Sequence, residues 1–124
     1  FQSGFRYQRE IVCSHRVALY YSAKQYDGLT FSTDNETIEN PKKLSFDIYV
    51  TERSLFTTAA VWRGEKDPHQ FLVKDGEKAI VYQPGWTHME FDIPETTKDV
   101  RWILFEKQDG GYTELALDNL ALTP

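Results

Sequence analysis

The groups in this chain that could carry nucleophilic, acid–base or metal chemistry are Cys13, three histidines and nineteen acidic side chains. Their spacing does not assemble such a site. His15, His69 and His88 sit in unrelated contexts, with no H-E-x-x-H or comparable ligand spacing. No G-x-S-x-G elbow, P-loop or dinucleotide fingerprint occurs. Carboxylate pairs suited to glycoside hydrolysis can be drawn from so many acids at random, so they carry no information. An enzyme is therefore not expected. Recognition chemistry is better supplied. Trp62, Tyr82, Trp86, Trp102 and Tyr112 offer rings that could stack on sugars, although a small β-sandwich also needs large rings for its core. Trp102, among apolar neighbours, reads as core, and Trp86, after Pro84-Gly85, as a plug at one end. Tyr20, Tyr21, Tyr49 and Tyr112 fit a solvent-facing surface better. Asp47 and Tyr49, with Arg53 in the following loop, form a mixture typical of binding surfaces and are the candidate binding residues.

The elements that must position these residues follow a period of two. In Leu44–Val50 the apolar residues Leu44, Phe46, Ile48 and Val50 alternate with Ser45, Asp47 and Tyr49, which predicts a strand with one wet side. Thr87–Ile93 repeats the pattern with Met89, Phe91 and Ile93 inward, until Pro94 ends it. Val100–Phe105 is apolar almost throughout and predicts a central strand covered on both faces. Further strands are expected over Ile11–Tyr21, Leu29–Ser32, Leu55–Trp62, Gln70–Lys74, Lys78–Gln83 and Glu114–Leu122. Asp75-Gly76 marks a hairpin turn between two of them, and Asp109-Gly110-Gly111 marks another turn. Only Glu36–Lys43 has helical colour, and Pro41 limits it. Many short strands with regular turn signals predict an all-β, two-sheet antiparallel jelly-roll sandwich. Its expected core holds Phe46, Ile48, Met89, Phe91, Trp102, Leu104 and Leu117.

Composition agrees and narrows the function classes. The 124 residues carry a net charge of −5 and no basic block, which excludes a nucleic-acid footprint. No apolar run is long enough to span a bilayer as a helix, so membrane contact by this domain is not expected. Aromatics at 15% exclude a disordered chain. Phe1-Gln2-Ser3-Gly4 match the end of an ENLYFQ/SG protease-cleavage tag, so residues 1–4 are set aside and residues 5–124 are taken as one domain. The single Cys13 reads as a buried small apolar residue, a partner for a cysteine elsewhere, or an intermolecular bridge. Asn35-Glu36-Thr37 is an N-glycosylation acceptor in a loop-like run, and places a glycan on Asn35 if the protein is secreted.

Three segments also resemble a known family. Gly85–Pro94 looks like the Trp-led strand of MAM domains, Val100–Glu106 like their buried strand ending in Phe-Glu, and Tyr112–Leu122 like their closing I-A-L-D-D-I-x-L run. Order and spacing match, and Lys43–Val50 fits an upstream strand. The chain differs in its single cysteine, where MAM domains carry two disulfides. The resemblance implies an extracellular or cell-surface module of a larger protein that binds a protein partner, with homophilic pairing as a sub-case. It implies no catalysis and no required cofactor. The alternative is a carbohydrate-binding module of the same jelly-roll architecture, with a glycan as partner. Such modules often hold a structural calcium beside the last strand, which points to Asp118 with Asn119. The competing reading has Asp118 shaping a local bulge.

Overall fold

The computed structural model describes residues 5–10, 19–32, 41–61, 69–94, 100 and 102–123. Cys13, His15, Asn35, Trp62 and most of the stretch with helical colour lie outside them. The described residues form ten strands and no helix: β1 (Phe5–Glu10), β2 (Leu19–Lys24), β3 (Gly28–Ser32), β4 (Lys43–Val50), β5 (Ser54–Val61), β6 (His69–Phe71), β7 (Ala79–Tyr82), β8 (Gly85–Asp92), β9 (Trp102–Lys107) and β10 (Tyr112–Thr123). One sheet runs β1-β3-β9-β5-β6, with β7 also on β5; the other runs β2-β10-β4-β8. This is the jelly-roll sandwich that the alternation predicts. β1 pairs with β3 in parallel, the one parallel pair among the described strands.

The two faces that meet are the apolar halves of the alternating strands. Leu44, Phe46, Ile48 and Val50 of β4 join Met89 and Phe91 of β8 and Leu115, Leu117, Leu120 and Leu122 of β10. From the opposite sheet come Phe56, Tyr82, Ile103 and Phe105. The sheets interlock at Phe46 and Phe105, whose rings meet edge-on with centroids 5.0 Å apart. Trp102 and Leu104 are not part of this core, contrary to the sequence expectation. On β9 the inward positions are Ile103, Phe105 and Lys107, so Trp102 and Leu104 lie half-buried on the outer face of their sheet. Four consecutive apolar residues carry no parity signal, and a lysine at an inward position misleads whatever parity is left.

The Asp75-Gly76 turn forms as expected, with both residues at positive φ (53° and 82°) and two backbone hydrogen bonds between Lys74 and Glu77. The flanking strands do not pair with each other beyond that bridge. Instead β6 and β7 lie end to end along β5, against Ala59–Val61 and Ser54–Thr57 respectively.

Tyr82 is 1% exposed, and its hydroxyl has no hydrogen-bond partner among the described residues. Burial pushes its phenol well above the ordinary tyrosine range, so it stays neutral. Because an unpaired buried hydroxyl costs free energy, Tyr82→Phe should leave stability unchanged or raise it by up to ~1 kcal/mol. A urea denaturation series measures this, and a loss beyond ~1 kcal/mol would reveal a partner for the hydroxyl.

Candidate functional site

The outer face of the β2-β10-β4-β8 sheet carries the exposed Trp86 beside Tyr49 and a closed polar network. β4 and β8 pair in register from Lys43 opposite Asp92 to Val50 opposite Gly85. With their apolar residues turned inward, the strands turn Lys43, Ser45, Asp47 and Tyr49, and Trp86, His88, Glu90 and Asp92, to the other side. Side chains two apart on a strand share a face, so these eight residues form four cross-strand rows about 7 Å apart along the strands.

The first row is aromatic. Tyr49 faces Trp86, with ring centroids 5.5 Å apart and planes tilted by 50°. Trp86 is 56% exposed, so it does not plug the sandwich end but presents its indole to solvent. Gly85 makes this possible at the start of β8: its φ of 107° is one that L side chains rarely adopt, and the chain turns there into the strand after Pro84. On the other side of Tyr49 the register continues to the small Ala116 of β10 and on to Tyr20 of β2.

The second and third rows are ionic. His88 Nδ1 lies 2.6 Å from Asp47 Oδ1, and His88 Nε2 lies 3.1 Å from Glu90 Oε2. Lys43 Nζ donates to Glu90 Oε1 at 3.1 Å, and Asn119 Nδ2 donates to Asp47 Oδ2 at 2.8 Å. Every carboxylate oxygen of Asp47 and Glu90 therefore has a neighbour within the face. The hydrogen bond to Asp47, then that to Glu90, raises the His88 pKa above the ordinary imidazole value. Asp47 is held low by the Asn119 amide first and His88 second, and Glu90 by His88 first and Lys43 second.

A bulge delivers Asn119. Asp118 pairs with Asp47, yet the next ladder pair is Ala121 with Ser45, so β10 carries one extra residue over this stretch. Asn119 takes up the slack at φ 52°, a conformation asparagine tolerates better than most residues. Its backbone N–H donates to Asp118 Oδ1 at 2.8 Å. The bulge thus aims an amide at a carboxylate that would otherwise face the carboxylate of Asp118 across the ladder.

Of the residues singled out in the sequence, Asp47 and Tyr49 share this face. Arg53 lies in the turn between β4 and β5, where the chain crosses from one sheet to the other, and takes no part in the network. Asp118 and Asn119 shape the bulge. Among the described residues no group of three or more His, Cys, Asp or Glu side chains is arranged to hold a metal ion. His88 and Glu90 are marked by no motif in the sequence, and Trp86, one of the candidate stacking rings, reads there as an end plug. The signal for them was present: with Met89, Phe91 and Ile93 inward, strict alternation puts all three outward. Of the other candidate rings, Tyr82 is core and Tyr112 is 55% exposed at the start of β10.

No family model matches the sequence, and no curated protein matches it. Solved structures do resemble the fold. A point variant of the carbohydrate-binding module CBM29-2 superposes with a TM-score of 0.64 at 13% identity, over 83% of this chain and 68% of that one. Another CBM29-2 variant, solved with cellulohexaose, gives 0.61 at 13%, over 83% and 67%. CBM29_1, a family 29 module from Piromyces equi, gives 0.61 at 8%, over 85% and 67%. These likenesses support the jelly-roll sandwich and do not bear out the MAM resemblance in particular.

Proposed function

We propose that this domain is a non-catalytic carbohydrate-binding module whose platform is the outer face of β4 and β8. The observation that carries this reading is the exposed Trp86 packed against the half-buried Tyr49, beside a hydrogen-bonded set of polar side chains on one sheet face. A pyranose has an apolar C–H face and a rim of hydroxyls. Its face can cover an aromatic ring while charged acceptors and donors take the rim, and bonds to ionised groups are the strong ones. Support also comes from the fold neighbours, which are carbohydrate-binding modules, one solved with cellulohexaose and one with mannohexaose. The reading that the MAM resemblance favoured, a protein partner, finds no such support.

Calorimetric titration with soluble cellohexaose and mannohexaose tests the reading. Trp86→Ala should weaken binding roughly 10- to 30-fold, equivalent to ~1.5–2 kcal/mol, because exposed aromatic anchors dominate such contacts. Its denaturation midpoint should barely move, since the ring is mostly in solvent. A wild-type domain that binds neither these sugars nor any member of a glycan array, yet captures a protein partner, would overturn the proposal.

A further inference from the structure

His88 stands at the centre of the network, and the network's closure depends on its protons. Each ring nitrogen faces a carboxylate oxygen, Nδ1 toward Asp47 on β4 and Nε2 toward Glu90 on its own strand. A neutral imidazole carries one N–H and one lone pair, so it can serve only one of the two acceptors. The other nitrogen then points a lone pair at a carboxylate about 3 Å away, and that contact becomes repulsive. An imidazolium carries two N–H groups and satisfies both.

We propose that His88 is a proton-operated latch of the glycan platform: doubly protonated, it ties Asp47 and Glu90 into one fixed row beside Tyr49 and Trp86, and the platform binds its glycan more tightly than when His88 is neutral. The inference rests on the glycan-binding reading of this face. Fixed polar groups bind better than mobile ones, because less side-chain freedom is lost when the ligand arrives. The Asn119 amide and the Lys43 ammonium pin the far oxygens of the same two carboxylates, so His88 closes a row already held at both ends. Loss of one proton frees Asp47 or Glu90 at its inner oxygen and removes the positive charge that stands between the two carboxylates.

The charged surroundings point the same way. From β4, Asp47 and Lys43 face this part of β8; on β8 itself Glu90 and Asp92 flank the ring on the same side. Asp118 of β10 sits beyond Asp47 in the register, and the Lys74 ammonium reaches the Glu90 carbonyl oxygen at 3.2 Å. Histidine is the member of this set whose ordinary titration falls near neutrality, and its carboxylate neighbours favour the protonated form up to higher pH. His88 acts here as a positioning residue, through the carboxylates it holds.

The test combines affinity and titration on the whole domain. Cellohexaose and mannohexaose binding is measured by calorimetry at about pH 6, below the ordinary imidazole value, and at about pH 8.5, well above it. Wild type should bind about fivefold more tightly at the lower pH, a coupling at the small end of the range for linked sites because the side chains are exposed. His88→Gln places a neutral amide in the same row; it should still bind, with the pH dependence gone. Linkage requires the reciprocal effect, so saturating glycan should move the His88 imidazole titration, followed by NMR, to higher pH. Equal affinity at the two pH values, tighter binding at the higher one, or a pH dependence retained by His88→Gln would overturn the latch while leaving the platform standing. Absence of glycan binding at both pH values would remove the platform reading and the latch together.

Discussion

Phe105→Ala should cost the domain ~3–5 kcal/mol, the range for deleting a large ring from a packed core. Phe105 is 1% exposed and is the β9 side chain that crosses to Phe46 on the opposite sheet, with the rings at 83°. Its loss opens a cavity between two sheets that cannot close on it without shifting as bodies. Trp102→Ala should cost at least ~1 kcal/mol less, although tryptophan is the larger residue, because Trp102 lies on the outer face of its sheet and is partly exposed rather than sealed between the sheets. Parallel urea denaturation of the two variants measures the difference. If Trp102→Ala were the more damaging, the inward and outward faces of β9 would have to be exchanged.

Lys107→Met should be nearly as severe, at ~2–4 kcal/mol, for an electrostatic reason. Lys107 is 1% exposed, yet its ammonium is fully engaged: it lies 2.7 Å from Asp109 Oδ1 and 2.9 Å from the carbonyl oxygens of Asp109 and Gly110. A methionine fills similar space but leaves that carboxylate and both carbonyls without their cation. The loss falls below that of a wholly buried orphan because Asp109 is partly open to water. Burial alone would push the Asp109 pKa up; the Lys107 ammonium and the Leu55 N–H outweigh it and hold the carboxyl below the ordinary range. The corresponding stability is present above the unfolded carboxylate value and is lost as pH falls through the lower, folded one. Denaturation midpoints from about pH 7 down to about pH 2 should therefore fall less steeply in Lys107→Met than in wild type. Equal acid sensitivity would show that Asp109 gains nothing from the ammonium.

These two residues mark where the sequence becomes hard to read. β4 and β8 are legible because each has one dry and one wet side, so a polar residue at every second position declares the face. That alternation placed Asp47 and Tyr49 correctly and, carried one step to either side of Met89, also yields His88 and Glu90. Carried to the start of the strand it yields Trp86, although Pro84-Gly85 before it reads as the setting of an end plug. β9 has no wet side in its first half, and Lys107 inverts the usual reading of a charge, since its cradle comes from the backbone of a turn. Asp75-Gly76 is a local hairpin signal, whereas the pairing of β6 and β7 with β5 is set by tertiary contacts. Asn119 could not be linked to Asp47 from sequence, because the bulge that aims it exists only once β10 lies beside β4.

The position of β10 also shapes how the domain comes to exist. β10, the last of the described strands, occupies an inner position of its sheet, between β2 and β4, with Leu117 paired to both Leu19 and Ile48. During synthesis β4 and β8 can zip together early, but the slot beside β4 stays open until the residues of β10 emerge. At ~5–20 residues per second that wait lasts seconds, during which two unpaired strand edges are available to other chains. Closing the slot joins segments far apart in sequence, the slow kind of step for β-rich domains. The Asn119 amide reaches Asp47 only at that moment, so the polar network of the β4–β8 face is finished by the same event that seals the sheet.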